Sequence, residues 1–485
     1  MSTSTEQPSV QQLVAVIENG RKRSAALART ILVSVTRPLG QLPALSVDAA
    51  TECVLWQQPS RDATLFGVGR AATIEASGEN RFGHVREGLA RLLAEAVIDG
   101  PAPMAFAGFA FDPQQEGEER WRAFPDGLAV LPRLLFARRD ATCSLTLNAL
   151  VDADTDVGAL AATLLADVNA FRSSAPVSES RGDAEMQQSG CAPQRLAWGS
   201  GEEAGRQFWL DNVTDLTGSI AAGEAEKVVL ARRVDITSAR PFSLDSALER
   251  LRQRYPDTTV FAVRQDETCF LGATPETLVR LDGRTVRADC LAGSYRRGTS
   301  EAEDLALGEA LLADEKERRE HAIVARALCD CLHGVCDDLR VPEAPSLRRM
   351  ANVQHLYTPI EATTDGERHV LELVQRLHPT PATAGLPRER SICLIRRHEP
   401  FVRGWYAGPI GWLDTNGNGE FAVALRSALV RGNEASLYAG CGIVSGSDPA
   451  REYDESAIKL EAMLWALGQE TPLHQGEGGL PKAQP

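Results

Sequence analysis

The sequence predicts an α/β chain of the α+β type, with antiparallel sheets flanked by helices. Hairpin signals outnumber strand–helix–strand units, which argues against a parallel sheet. The pair Asp282–Gly283 separates two apolar alternations, TLVRL and RTVRADC, and Asp-Gly in that setting marks a tight hairpin. Between the strands lie segments with apolar residues at helical spacing.

Taken in order, VQQLVAVIEN (10–19) reads as an amphipathic helix, and ILVSVTRP (31–38) as a strand ending at proline. HVREGLARLLAEAV (84–97) has helical spacing. PMAFAGFAFDP (103–113) and LAVLPRLLFARR (128–139) read as strands. This part, residues 1–173, carries no catalytic motif. Residues 174–196 are small and polar, as in a surface loop or linker.

Regularity increases from residue 197. KVVLARRVDI (227–236) is strand-like. Ser243 is placed to cap a helix with Leu244, Ala247, Leu248 and Leu251 on one face. Residues 301–333, rich in Glu, Leu, Ala and Arg, read as one long or two short helices ending at Gly334. A second hairpin is expected to pair 406–413 with 421–430 across DTNGNGE. A last helix starts at Pro449 and stops before Gly468; the tail 468–485 is rich in Gly, Gln and Pro.

The chain has 485 residues, 43% hydrophobic, with a formal net charge of −15. That balance disfavours a nucleic-acid or anionic membrane surface. No apolar run reaches membrane-spanning length, and the start lacks a basic segment followed by an apolar core. With ten scattered cysteines, reduced thiols and a cytoplasmic location are expected.

Several constellations carry chemistry. Glu317 and Glu320, and Glu452 and Glu455, are spaced three apart on helices, so each pair shares a face. Four converging carboxylates would suit magnesium; the alternative is a solvated face of ion pairs. Lys459, four beyond Glu455, fits both. GATPETL (272–278) puts Pro275 in a turn and Glu276 at a strand entrance, a good place for a general acid. Lys227, at the start of an apolar strand, is either an edge gatekeeper or, if turned into a cleft, a base whose pKa burial lowers. In EFAVALRSALV, alternation sets Phe421, Val423, Leu425 and Leu429 on one face. Arg426 lies among alanines on the other, with room for a carboxylate or with solvent above it. Gly440 and Gly442 in YAGCGIV admit a close ligand or mark a bulge. Cys329, Cys331, His333 and Cys336 do not share one helix face and are set aside as a zinc site. His321 reads as structural.

In this order, KVVLARR, GATPETL, LAGSYRRG, EKERREH, NVQHLYTPI, LHPTPATAG, WYAGPIGW, ALRSA, AGCGI and REYDESAIK resemble the chorismate-utilising enzymes over about residues 200–467. That family comprises isochorismate, salicylate, anthranilate and aminodeoxychorismate synthases. The resemblance implies a two-lobed sandwich of large antiparallel sheets, with residues 197–467 as the chorismate-binding region. The first 173 residues would form the variable part of the same fold. It implies Lys227 as the base that activates water and Glu276 as the acid that protonates the departing hydroxyl. Glu320 and Glu455 resemble magnesium ligands, supported by Glu317 and Glu452 through water. Tyr406 and Arg426 resemble contacts to the enolpyruvyl carboxylate. Gly293, Gly440 and Gly442 would offer backbone amides. His355 would lie near the ring, and Lys459 beside the metal.

Within the family, Lys227 points to water rather than ammonia as nucleophile. Ala292 stands where some aminodeoxychorismate synthases carry a nucleophilic lysine. Ala382 stands where salicylate synthases carry threonine, so the pattern resembles isochorismate synthases. Thr383, beside it, departs from the larger apolar residue common there and leaves pyruvate elimination as the second reading. The long N-terminal region favours the menaquinone type over the siderophore type. No amidotransferase partner is expected. A degenerate chorismate-binding protein is the non-enzymatic alternative; an intact set of site residues argues against it.

Overall fold

A computed structural model of the chain describes residues 9–115, 117–174, 194–196 and 202–469. The expected linker 174–196 and the tail beyond residue 469 lie almost wholly outside the described residues.

The strand Gly127–Arg139 is the branch point of the sheets. It pairs along its length with Ala63–Ala76, and its second half also pairs with Thr142–Val151. From Ala63–Ala76 a first arm passes through Glu52–Gln58, Thr259–Gln265, Thr268–Thr274, Ser427–Arg431 and Glu434–Val444 to Lys227–Thr237. The first half of Gly127–Arg139 pairs with Met104–Phe109. From there a second arm runs through Pro409–Asp414, Gly419–Val423, Thr277–Asp282 and Thr285–Arg296 to Val353–Thr363. These ladders are antiparallel; Ile31–Leu39 against Val97–Asp99 is a parallel pairing at one margin.

The expected two-lobed sandwich is therefore present, and its packing explains the alternations. Trp56, Phe106, Val130, Leu230, Phe270, Trp412 and Leu429 fill the space between the arms. The outer face of the first arm is covered by helices contributing Leu13 and Ile17, Leu248 and Leu251, and Met463 and Leu464. The outer face of the second arm is covered by helices contributing Val85, Val324, Leu328 and Val374. Strands from the first 173 residues belong to both arms. No helix among the described residues is long and apolar enough to cross a membrane.

The Ser243 cap forms, with Ser246 N–H donating to it, and Leu244, Ala247, Leu248 and Leu251 are all buried. Three boundaries differ from expectation. The helix expected to reach residue 97 is Arg81–Leu93, because Val97–Asp99 leaves to pair with Val33–Val35. Only Met104–Phe109 of 103–113 is strand. In the Asp282 hairpin, Asp282 itself pairs with Thr285, so Gly283 and Arg284 form the two-residue loop, with Gly283 at φ +57°. Residues 301–333, expected as one long or two short helices, are two, Glu301–Ala313 and Glu315–His333. Asp314 ends the first and caps the second by accepting from Glu317 N–H at 3.0 Å.

The largest departure concerns 421–430. It is two strands, Gly419–Val423 in the second arm and Ser427–Arg431 in the first, joined by a crossing segment. Arg426 there has φ +47°. The single alternation expected across this stretch therefore fails, and Leu429 faces the space between the arms while Phe421 and Val423 face away from it.

Candidate active site

The chain crosses between arms at two adjacent places, and each crossing carries a site residue. Residues 275–276 join Thr268–Thr274 to Thr277–Asp282, and residues 424–426 join Gly419–Val423 to Ser427–Arg431. The crossings are tied side by side. Val423 N–H donates to Glu276 O at 3.1 Å, Ala273 N–H to Arg426 O at 3.2 Å, and the Thr274 hydroxyl to Val423 O at 2.6 Å. One cavity results between the ends of the arms. It is lined by Lys227, Glu276, Gly293, Glu320, His355, Ala382, Tyr406, Arg426, Gly440, Gly442, Glu455 and Lys459. Of the fourteen residues expected to form the site, Glu317 and Glu452 do not line it.

Lys227 is only 1% exposed, so it points into the cavity and is no edge gatekeeper. Its ammonium Nζ donates to Glu320 Oε1 at 2.8 Å. Burial would raise the Glu320 carboxyl, but Lys227, with Lys316 and Lys459 nearby, outweighs burial and holds it below its usual value. Glu276 behaves oppositely. Burial, reinforced by the charge of Asp289, raises it to about 8 against the pull of Lys227 and Lys459. A carboxyl of that pKa is largely protonated at neutral pH and can donate a proton.

Arg426 is buried, and its Nη2 donates to His355 Nε2 at 2.9 Å. A guanidinium only donates, so Nε2 accepts and the ring proton sits on Nδ1. Nδ1 then donates to the Ser294 hydroxyl at 2.8 Å, and Ser294 N–H donates to Glu317 Oε2 at 3.0 Å. Burial, with Arg426 and Lys459 adding to it, drives His355 well below its ordinary pKa, in keeping with this neutral tautomer. Arg426 Nη1 is buried and has no hydrogen-bond partner among the described residues. Burial lowers this guanidinium to about 10. A buried cationic donor without a partner is costly unless an acceptor is brought to it. Gly293 makes the nearby turn possible: it has φ +79° in a strand irregularity between Ala292 and Ser294.

The two acidic pairs sit in the first two turns of capped helices, Glu315–His333 and Pro449–Ala466. They converge, and three lysines answer them. Lys227 pairs with Glu320, and Lys459 with Glu455 at 2.6 Å. Lys316 bridges Glu317 at 3.2 Å and Glu452 at 3.0 Å. Burial raises Glu317 to about 7, with Glu320 adding to it, and raises Glu452 to about 7, with Glu455 adding to it; Lys316 opposes both shifts. These are not solvated surface pairs. Crowded carboxylates of this kind could hold a hard divalent cation, and Glu452 and Glu455, with the Cys441 thiol, offer atoms within 4.8 Å of one another.

The glycines at 440 and 442 lie inside a regular ladder, so the bulge alternative is excluded. A Cβ on Gly442 would stand 2.3 Å from Glu320 Oε1 and 2.7 Å from Lys227 Cε. Gly440 gives its carbonyl to Lys459 at 3.0 Å. Thr383, the departure noted above, turns its hydroxyl onto Thr380 O at 3.3 Å within its own loop. His321 is structural: its Nδ1 lies 3.1 Å from Ala292 O and its Nε2 2.8 Å from the Thr358 hydroxyl. Sequence reasoning missed Lys316, Ser294 and Arg403. Lys316 and Ser294 lay inside quoted motifs and Arg403 two residues before one, but none was separable there from an ordinary polar residue.

Residues 11–468 match the family model described as chorismate binding enzyme. The chain is 38% identical to the salicylate biosynthesis isochorismate synthase of Pseudomonas aeruginosa, covering 96% of this chain and 97% of that one. It is 36% identical to the isochorismate synthase MenF of Bacillus subtilis, covering 86% and 88%. Among solved structures, the menaquinone-specific isochorismate synthase MenF from Escherichia coli superposes with a TM-score of 0.72. That pair shares 27% identity over 94% of this chain and 100% of the other.

Proposed function

This chain belongs to the chorismate binding enzymes, and from that membership we propose that it is an isochorismate synthase, an isomerase that moves the hydroxyl of chorismate to the neighbouring ring carbon. The observation that carries the substrate reading is Arg426. Its partnerless, buried Nη1 suits a bound carboxylate, and chorismate has two. The full-length similarity to two proteins named isochorismate synthases supports the reaction.

The residues divide the chemistry between them. Glu276, kept protonated by burial, gives its proton to the departing 4-hydroxyl. Lys227, acting in its neutral amine form, takes a proton from the water that adds at C2. Arg426, held in plane by the His355–Ser294 chain, and Tyr406 hold the enolpyruvyl carboxylate. Glu320 and Glu455 would hold magnesium, with Glu317 and Glu452 behind them. When bound, the ion supplies positive charge that offsets these carboxylates and retains the ring carboxylate. Much of the acceleration then comes from orientation and fixed charge.

Product release as isochorismate, rather than salicylate and pyruvate, follows from the part of the cavity wall that carries Ala382 and Thr383. Ala382 offers no hydroxyl there, and that of Thr383 is engaged within its loop. The deciding experiment is chorismate consumption with and without magnesium, with products separated by chromatography against a no-enzyme control. Isochorismate in reversible equilibrium with chorismate is expected. Salicylate and pyruvate as the main products would promote the lyase reading instead.

A further inference from the structure

An ion pair is buried in the middle of the protein, and the reading above gives it no role. Arg403 and Glu399 are 1% and 0% exposed in their side chains. Arg403 Nε donates to Glu399 Oε2 at 2.8 Å. Burying two charges is rarely a net gain in stability over an apolar pair. What distinguishes this pair is where its other hydrogen bonds go.

The strand Lys227–Thr237 is paired along its whole length on one side by Glu434–Val444. On its other side, pairing is interrupted. Gly385–Leu386 covers Lys227 and Val228, and Gln194–Leu196 covers Asp235–Thr237. Between them two backbone groups of the strand are met by side chains. Arg403 Nη2 donates to Val229 O at 2.8 Å, and Ala231 N–H donates to Glu399 Oε1 at 2.7 Å. The pair thus takes the place of a missing stretch of strand. Arg403 Nη1 also donates, at 2.8 Å, to Thr383 O in the loop that carries Ala382. Arg403 itself opens the turn that ends at Tyr406, whose N–H donates to Arg403 O at 3.0 Å.

Resting on the chorismate reading for its catalytic consequence, we propose that Arg403 and Glu399 are positioning residues that clamp the strand bearing Lys227 to the loop bearing Ala382 and Thr383, and so fix the width of the cavity between the base and the wall facing the substrate. A lysine at 403 keeps the charge but not the planar fork, so it cannot hold Glu399, Val229 O and Thr383 O together.

The test is Arg403→Lys in the full chain, with hydrogen–deuterium exchange followed by mass spectrometry and with steady-state kinetics. Exchange in 227–231 and 380–386 is expected to quicken at least about tenfold, while the Asp282 hairpin exchanges as in wild type. In parallel kcat is expected to fall at least about tenfold with KM nearly unchanged, since a loosened clamp misplaces reacting groups. Wild-type exchange in both segments overturns the clamp. Faster exchange spread evenly over the chain, with unchanged activity per folded molecule, overturns it too. Should Arg403→Lys not accumulate as folded protein, Glu399→Gln, nearly isosteric, is read by the same two measurements. The exchange measurement uses no substrate, so the clamp and the chorismate reading fail separately.

Discussion

Gly442 offers a sharp test of the site because its missing side chain is the space the site occupies. Its backbone φ is not in the left-handed region, so alanine there introduces no backbone strain. A Cβ at this position would nevertheless stand 2.3 Å from Glu320 Oε1, whereas ordinary contact begins at 3.4 Å. The carboxylate must therefore retreat by about 1 Å. Lys227 Cε, 2.7 Å away, must move as well. That displaces both partners of the 2.8 Å Lys227–Glu320 contact at once. Misplacement of reacting groups by about 1 Å costs on the order of 10² in rate. We therefore expect Gly442→Ala to lower kcat about 100-fold, to weaken divalent-cation binding, and to leave the melting temperature within a few degrees of wild type. Chorismate turnover, Mn2+ titration and thermal melting measure the three. Wild-type kcat in a folded Gly442→Ala protein would refute the placement of Glu320 and Lys227 in the site.

Other perturbations address the remaining roles. Lys227→Ala and Glu276→Ala should each lower kcat by about 10² or more, as loss of a general acid or base does; pH–rate profiles unchanged in both variants would remove these roles. Glu320→Gln or Glu455→Gln should abolish activity and keep the fold; full activity in EDTA-treated buffer with limiting magnesium would exclude them as ligands. The Glu276 carboxyl ionises above 4.5 in the unfolded chain but only near about 8 in the folded one. The native state therefore loses stability as pH rises from about 4.5 to about 8, and a glutamine does not titrate. The stability advantage of Glu276→Gln should grow across that window by up to ~1.4 kcal/mol per pH unit; urea midpoints whose gap shrinks from pH 5 to pH 8 would contradict it. Ala382→Thr should raise the pyruvate fraction and keep the magnesium dependence, and an unchanged product ratio would count against control by this wall.

Local chemistry was legible in the sequence wherever one segment decides its own structure. The Ser243 cap and its four buried apolar residues depend only on neighbours within three turns, and they form as expected. The strand from Lys227 and the helix from Pro449 are of the same kind. The family resemblance added roles that no single segment carries, and twelve of the fourteen residues it named line one cavity. Tertiary structure decided the rest. Alternation over 419–431 cannot reveal that the chain leaves one sheet for the other at Arg426, because both strands alternate and only their partners differ. Nor can the spacing of Glu317, Glu320, Glu452 and Glu455 tell a solvated face from a crowded buried cluster. That difference arises when two helices, more than a hundred residues apart in sequence, bring their first turns together with Lys316 between them. The Arg403–Glu399 pair belongs to the same class. An i, i+4 pair on paper resembles any surface ion pair, and its burial follows from a gap in a sheet edge that exists only once the strands have paired.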